Sequence, residues 1–178
     1  MPMIDALIPE SALTPQAEAR LFKELSDILI EAEGYRSDNK IAQSVTVLNL
    51  HRPAAVYVGG EPSKLPRYRI IPTVPEGQYS DESRKTLVRR ITEAVARAEN
   101  GTFEDVATRV WVFPTEIPDG QWGSRGLIRS VADIHAMLVD DPEQWRVGSE
   151  RLARKRREDA RVMLESALDA VCIGTAKA

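Results

Sequence analysis

Residues 9–32 (PESALTPQAEARLFKELSDILIEA) and residues 75–98 (PEGQYSDESRKTLVRRITEAVARA) carry one pattern twice, 66 residues apart. Each copy opens on Pro-Glu, a turn signal. Each then offers a hydroxyl side chain as an N-cap, Thr14 in the first and Ser80 in the second. Pro15 suits the first turn of the helix that follows. Leu21, Phe22, Leu25, Ile28, Leu29 and Ala32 are answered by Leu87, Val88, Ile91, Ala94, Val95 and Ala98. Three- and four-residue spacing makes each set one apolar stripe of an amphipathic helix. Gly34 stops the first helix.

A strand-like run stands on either side of each helix. Met3 to Ile8 is short, apolar and broken by Asp5, and its counterpart is Tyr68 to Val74. After the helices, Ser44–Leu50 (SVTVLNL) is β-branched and alternating, and Val110–Glu116 (VWVFPTE) answers it at the same offset. Tyr35–Lys40 reads as polar loop, His51-Arg52-Pro53 ends the second strand, and Val56–Val58 adds a short strand before Gly59-Gly60. Turn, helix face and strand agreeing on one offset imply an internal duplication. Each βαβ unit should form a right-handed parallel crossover. The expected class is α+β: duplicated βαβ units forming a four-stranded mixed sheet with two helices on one face. The opposite sheet face is then open, which predicts an oligomer. Pro72 predicts an edge or a bulge in the third strand. The expected organisation is a main domain over residues 1–140, with repeat 1 about 2–60 and repeat 2 about 66–126. A C-terminal helical extension covers 141–178.

The chain has 178 residues, enough for one sizeable core. A net charge of −3 supplies no bulk basic field for nucleic acid or an anionic membrane. Cys172 is the single cysteine, which excludes an internal disulfide and fits a reducing, cytoplasmic compartment. It reads as inert. No apolar run is long enough to span a bilayer, and Asp5 and Glu10 interrupt the one candidate signal segment. His51 and His135 lie far apart in sequence without ligand spacing, so no metal site is expected. A long helix is expected over Ser149–Val171. Its run Arg151, Arg154, Lys155, Arg156, Arg157 reads as a solvated face. Leu164, Leu168 and Val171 give its later turns an apolar side to dock.

Pro2 heads the first repeat as Tyr68 heads the second. If Met1 is removed, Pro2 carries a secondary amine at the amino terminus. Such an amine titrates at about 7.7–8.0 before its surroundings act on it; burial and nearby cations lower that value. Poised near neutrality, it can take a proton from a carbon acid or attack a carbonyl. Residues 118–126 (PDGQWGSRG) form a glycine-rich turn that carries Trp122 and Arg125. There Trp122 would exclude water and Arg125 would hold a carboxylate.

These parts, in this order, resemble the tautomerase superfamily of the 4-oxalocrotonate tautomerase type, over roughly residues 1–145. Residues 54–60 (AAVYVGG) and 110–118 (VWVFPTEIP) are similar to strands of cis-3-chloroacrylic acid dehalogenase. His51-Arg52-Pro53 and the QWGSRG turn are similar to malonate semialdehyde decarboxylase. The resemblance implies a tautomerase/MIF-like βαββαβ protomer in a homotrimer, with sites at subunit edges around the amino-terminal proline. It also implies small 2-oxo, enol or unsaturated carboxylic acid substrates and no cofactor. By position, Pro2 matches the catalytic proline. Phe113 falls where the dehalogenase has a tyrosine, and Pro75 and Gln78 fall where it has two carboxylate-holding arginines. Leu29 stands in place of a histidine, and Ser124 in place of the water-activating glutamate. Trp122 matches the decarboxylase wall tryptophan, and Asp38 or Asn39 lies near its catalytic aspartate. Arg125, Arg67 and Arg69, with Arg52 behind them, are the cations left to meet a substrate carboxylate. The expected function is a cofactor-free tautomerase with Pro2 as general base. Two alternatives stand beside it: a decarboxylase or cis-3-haloacrylate dehalogenase/hydratase of the same superfamily, and a non-catalytic trimeric binding protein.

Overall fold

The computed structural model describes residues 2–175, with side chains through residue 170. Met1 and the side chains of Val171 and Cys172 lie outside the described residues. Strand β1 (Met3–Leu7) alternates: Ile4 and Ala6 are fully buried, while Met3, Asp5 and Leu7 face the other way. Helix α1 (Pro15–Ala32) starts at Thr14, whose side chain accepts from the Ala17 amide at 3.2 Å. Helix α2 (Lys40–Val45) leads into β2 (Val47–His51), which runs parallel to β1. Strands β3 (Tyr57–Val58) and β4 (Glu61–Pro62) form a hairpin over Gly59-Gly60, both at positive φ.

The second repeat supplies β5 (Tyr68–Pro75), α3 (Asp81–Glu99), α4 (Phe103–Ala107), β6 (Val110–Val112) and β7 (Thr115–Ile117). A reciprocal Ser80–Ser83 capping box starts α3. The sheet order is β2-β1-β5-β6, with β7 also on β5. The central pair, β1 and β5, is antiparallel, and the outer pairs are parallel. Both long helices cover one face. Their repeat mates are buried together: Leu21 with Leu87, Leu25 with Ile91, Leu29 with Val95.

The sheet has five strands rather than four because its last strand is split. Ile70 lies opposite Val112 and Thr73 opposite Thr115, which puts Pro72 level with Pro114. Ile70 accepts from the Phe113 amide at 2.9 Å, so alternate residues of β5 present their amides to this neighbour. Pro72 is the next of these and has no N–H to give the Phe113 carbonyl. That carbonyl accepts from Thr115 Oγ1 instead, at 3.1 Å. Pro72 therefore marks neither an edge nor a bulge in its own strand, which is paired on both sides, but a missing rung.

Two other boundaries differ from the sequence reading. Asn39 caps α2, so residues 40–45 coil and the second strand begins at Val47 instead of Ser44. Met3 lies opposite Val47, whereas its repeat mate Arg69 lies opposite Trp111, so the second crossover is two residues shorter than the first. The uncovered sheet face mixes Leu7, Ile71 and Trp111 with Asp5, Arg69 and His51. Asp5 Oδ1 and His51 Nε2 are 2.7 Å apart on it.

Beyond β7, a small hairpin of β8 (Gly123–Ser124) and β9 (Leu127–Ile128) precedes α5 (Val131–Leu138) and α6 (Trp145–Thr175). Trp122, Ile134 and Leu138 join Ile30, Tyr35 and Ala42 in a second core. A Cβ at Gly148 would come 2.5 Å from the Ala132 Cα, so the close contact of α5 and α6 requires glycine there. The basic run of α6 is more than a solvated face. Arg156 grips the Glu76 carboxylate with two hydrogen bonds of 3.0 Å, and Arg151 turns inward. The expected docking of the later turns does not occur: Leu164 and Leu168 are exposed, along with Val162 and Met163. Among the described residues, no helix is long and apolar enough to cross a membrane.

Candidate active site

Pro2 is buried at the head of β1, and its carbonyl accepts from the Val47 amide at 3.2 Å. Strand alternation puts it on the helix-covered side with Ile4 and Ala6. The register sets it level with Val74 of β5, which in turn lies opposite Glu116 of β7. Above this end of the sheet come the end of α1 and the 75–80 turn that leads into α3.

Polar groups collect at this end and go unpaired. Glu33, the C-cap of α1, is 2% exposed, and neither carboxylate oxygen has a hydrogen-bond partner. Burial pushes it up to about 7, against the positive charges of the chain's amino terminus and of Arg151. Gln78 is buried with its Nε2 unpartnered, and Tyr79 is buried with its hydroxyl unpartnered. Burial raises the Tyr79 phenol, and the Glu33 and Glu116 charges add to that. Each such orphan costs about 1–3 kcal/mol. Three at one location mark a place where stability is given up, which is common where a ligand is to be met.

Arg151 enters from α6. Its Nη1 donates to the Glu33 carbonyl at 3.0 Å and to Gln78 Oε1 at 3.1 Å. Its guanidinium lies 5.4 Å from the Tyr35 ring centroid. Tyr35 Oη is 2.8 Å from His135 Nδ1. Burial pushes Tyr35 up to about 12 and His135 below the usual histidine range, the latter with help from Arg151. Glu116 braces the turn: its Oε1 accepts from the Gly77 amide at 2.8 Å, and its Oε2 from Arg84. Tyr79 and Arg151 also line a cleft of about 740 Å³ between α6 and the start of α3, with Arg84, Arg154 and Lys155. Among the described residues, no group of His, Cys, Asp or Glu is placed to hold a metal ion.

The structure gathers two of the expected residues here, Pro2 and Gln78. Pro75, the end of β5, is buried beside them in the chain. Trp122 packs in the same core as Tyr35 and is buried. Leu29 is core. Asp38 is exposed and paired with Arg36 at 2.7 Å. Asn39 accepts from the Ala42 amide at 2.9 Å and donates to the Leu138 carbonyl at 2.8 Å, so its amide is engaged in structure. Arg125, at φ 51, lines a separate hollow of about 170 Å³ with Ser124, Arg129 and Asp133. Arg67 lies over Trp111 at 5.5 Å, and Arg69 faces Leu7. Both stand toward the far end of β5 from Pro2, roughly 17 Å away along the strand for Arg69 and roughly 24 Å for Arg67. Phe113 is exposed at the strand break, and Arg52 pairs with Glu18 at 2.6 Å. The sequence reading missed Glu33, Tyr35, Tyr79, His135 and Arg151.

This architecture is a tautomerase/MIF-like fold. The solved structures that share it include a wild-type fused 4-OT forming an asymmetric trimer, at 19% identity and a TM-score of 0.57 over 71% of this chain and 94% of that one. Pt0534, inactivated by 2-oxo-3-pentynoate, matches at 16% identity and 0.58 over 71% and 94%. N1, a member of the cis-3-chloroacrylic acid dehalogenase family, matches at 14% identity and 0.56 over 71% and 82%. No family model and no curated protein sequence matches the chain.

Proposed function

We propose that this protein is a cofactor-free tautomerase-like enzyme. In this reading Met1 is removed, and the amine of Pro2 moves a proton between oxygen and carbon of a small 2-oxo or enol carboxylic acid. The observation that carries the reading is the burial of Pro2 at the end of the sheet where Glu33, Gln78 and Tyr79 hold unpaired polar groups. A secondary amine in such surroundings works near neutral pH, where a general base is most effective. Arg151 brings a cation to this end and favours an acidic substrate. The body of the enzyme is residues 1–140, and the extension from 141 supplies Arg151.

The reading extends to a cytoplasmic homotrimer that closes over the uncovered sheet face. In that assembly Arg67, Arg69, Phe113, Arg125 and Ser124 would meet the Pro2 of a neighbouring subunit. Decarboxylation or hydration through Asp38 or Asn39 is less favoured, because those side chains are exposed or engaged in capping.

The test begins with the intact mass of untagged protein, which reports whether Pro2 is terminal. Processed protein should turn over phenylenolpyruvate and lose that activity in Pro2→Ala. The electrophile 2-oxo-3-pentynoate should add once, at Pro2. Processed protein that neither turns over enol acids nor forms this adduct overturns the proposal.

A further inference from the structure

The two repeats close their helices on matched acids, Glu33 after α1 and Glu99 at the end of α3, 66 residues apart. The second acid is fully satisfied. Tyr68 Oη donates to Glu99 Oε1, and Arg109 donates from Nη1 and Nη2 at 2.9 and 2.6 Å. Burial opposes the Glu99 carboxylate, but the hydrogen bonds from Arg109 and Tyr68 outweigh it and hold the group below the usual range. In the first repeat Pro2 occupies the place of Tyr68 and brings no hydroxyl to the acid. The strand register puts Val45 where the second repeat has Arg109. Glu33 is thus the same buried acid stripped of both partners.

We infer that Glu33 is the proton-exchange partner of the amine on Pro2, which takes the place at this acid that Tyr68 and Arg109 take at Glu99. The inference rests on Pro2 bearing a free amine, as in the proposed function. The groups facing Glu33 come from four elements. They are Pro2 at the head of β1 (by its correspondence to Tyr68), Tyr35 after α1, Tyr79 before α3 and Arg151 of α6, with His135 of α5 behind Tyr35. Both tyrosines and His135 are held in their neutral forms near neutrality. Arg151 directs Nη1 to the Glu33 carbonyl and to Gln78 and makes no hydrogen bond to the Glu33 carboxylate. When the ammonium passes its proton to Glu33, two charged groups become two neutral ones, an amine and a carboxylic acid. The buried site favours that form, and the nitrogen lone pair is then free for the substrate. Glu33 acts here through Pro2, as a positioning residue.

The experiment follows the rate of 2-oxo-3-pentynoate addition to processed, full-length protein against pH, read by intact mass. The wild-type profile should show two coupled titrations. In Glu33→Gln the profile should narrow to one, with its midpoint about one pH unit lower. Glu99→Gln should leave the profile in place. A Glu33→Gln profile identical to wild type overturns the inference while leaving Pro2 as the base.

A second measurement needs neither the probe nor the variant. The carboxyl 13C titration of Glu33 in wild-type protein should move up by about one unit when the terminal amine is acetylated. An unmoved midpoint overturns the pairing. A moved midpoint without any adduct sustains the pairing and overturns the base reading instead.

Discussion

Arg151 donates to the main-chain carbonyl of Glu33 at 3.0 Å, so a residue of the last helix ties down the end of the first. The same nitrogen reaches Gln78 at 3.1 Å. One guanidinium therefore joins α6, the exit of α1 and the turn into α3, the three elements that surround the end of β1.

Arg151→Ala should destabilise the protein by about 2 kcal/mol, because it removes charge-assisted hydrogen bonds and leaves Gln78 with no partner. In a chain of this size that lowers the melting temperature by roughly 4–8 °C. Thermal unfolding of the variant beside wild type checks the figure.

At Gly77 the backbone of α6 packs close against the turn. It sits at φ +88, and a Cβ there would stand 3.1 Å from the Leu152 Cα. Gly77→Ala should combine backbone strain with displacement of the helix, at a cost of about 1–3 kcal/mol. Hydrogen exchange should show α6 losing protection before the sheet does.

The two matched acids give stability opposite pH dependences. Burial raises the Glu33 carboxyl in the fold to about 7, well above the usual carboxylate range. Its ionisation opposes folding, so stability should fall by about 3 kcal/mol as pH rises from 4.5 to 7 and level off above that. Glu33→Gln should remove this slope, which denaturant titrations at pH 5 and pH 8 would reveal. Glu99 is lowered. Its contribution is present above 4.5 and is lost as pH falls through the folded value. Glu99→Gln should therefore flatten the acid limb.

Tyr68→Phe keeps the ring and removes the hydroxyl that Glu99 accepts. The loss should be about 1.5–3 kcal/mol, since the acceptor is charged. Arg109→Ala should lose more, about 3–5 kcal/mol, because it leaves a buried carboxylate without its main partner. Chemical denaturation of both variants orders them.

The fold was legible because duplication made each weak signal appear twice: Leu25 alone says little, but Leu25 with Ile91 at the same place in a second copy says helix and core. The short helices α2 and α4 escaped because six and five residues carry no full apolar period. The split last strand escaped because its cause, Pro72, lies in the neighbouring strand. At the site, Pro2 was readable from chemistry and position. Glu33 was hidden as one acid among several at a helix end, and Arg151 as one cation in a run of them. Extending the 66-residue comparison past the apolar stripe would have set Glu33 beside Glu99 and Pro2 beside Tyr68, and shown that one acid has lost its tyrosine.

The missing rung at Pro72 has a counterpart on the outside of the sheet. Phe113 turns its amide to β5, so the nitrogen of Pro114 faces the outer edge, where it has no hydrogen to offer. That margin is left as two pieces, each three residues long. A foreign chain laid along it would find its template interrupted after a few bonds. The border strand is thus built to resist runaway stacking into fibrils while the protein is being made and before its other surfaces are covered.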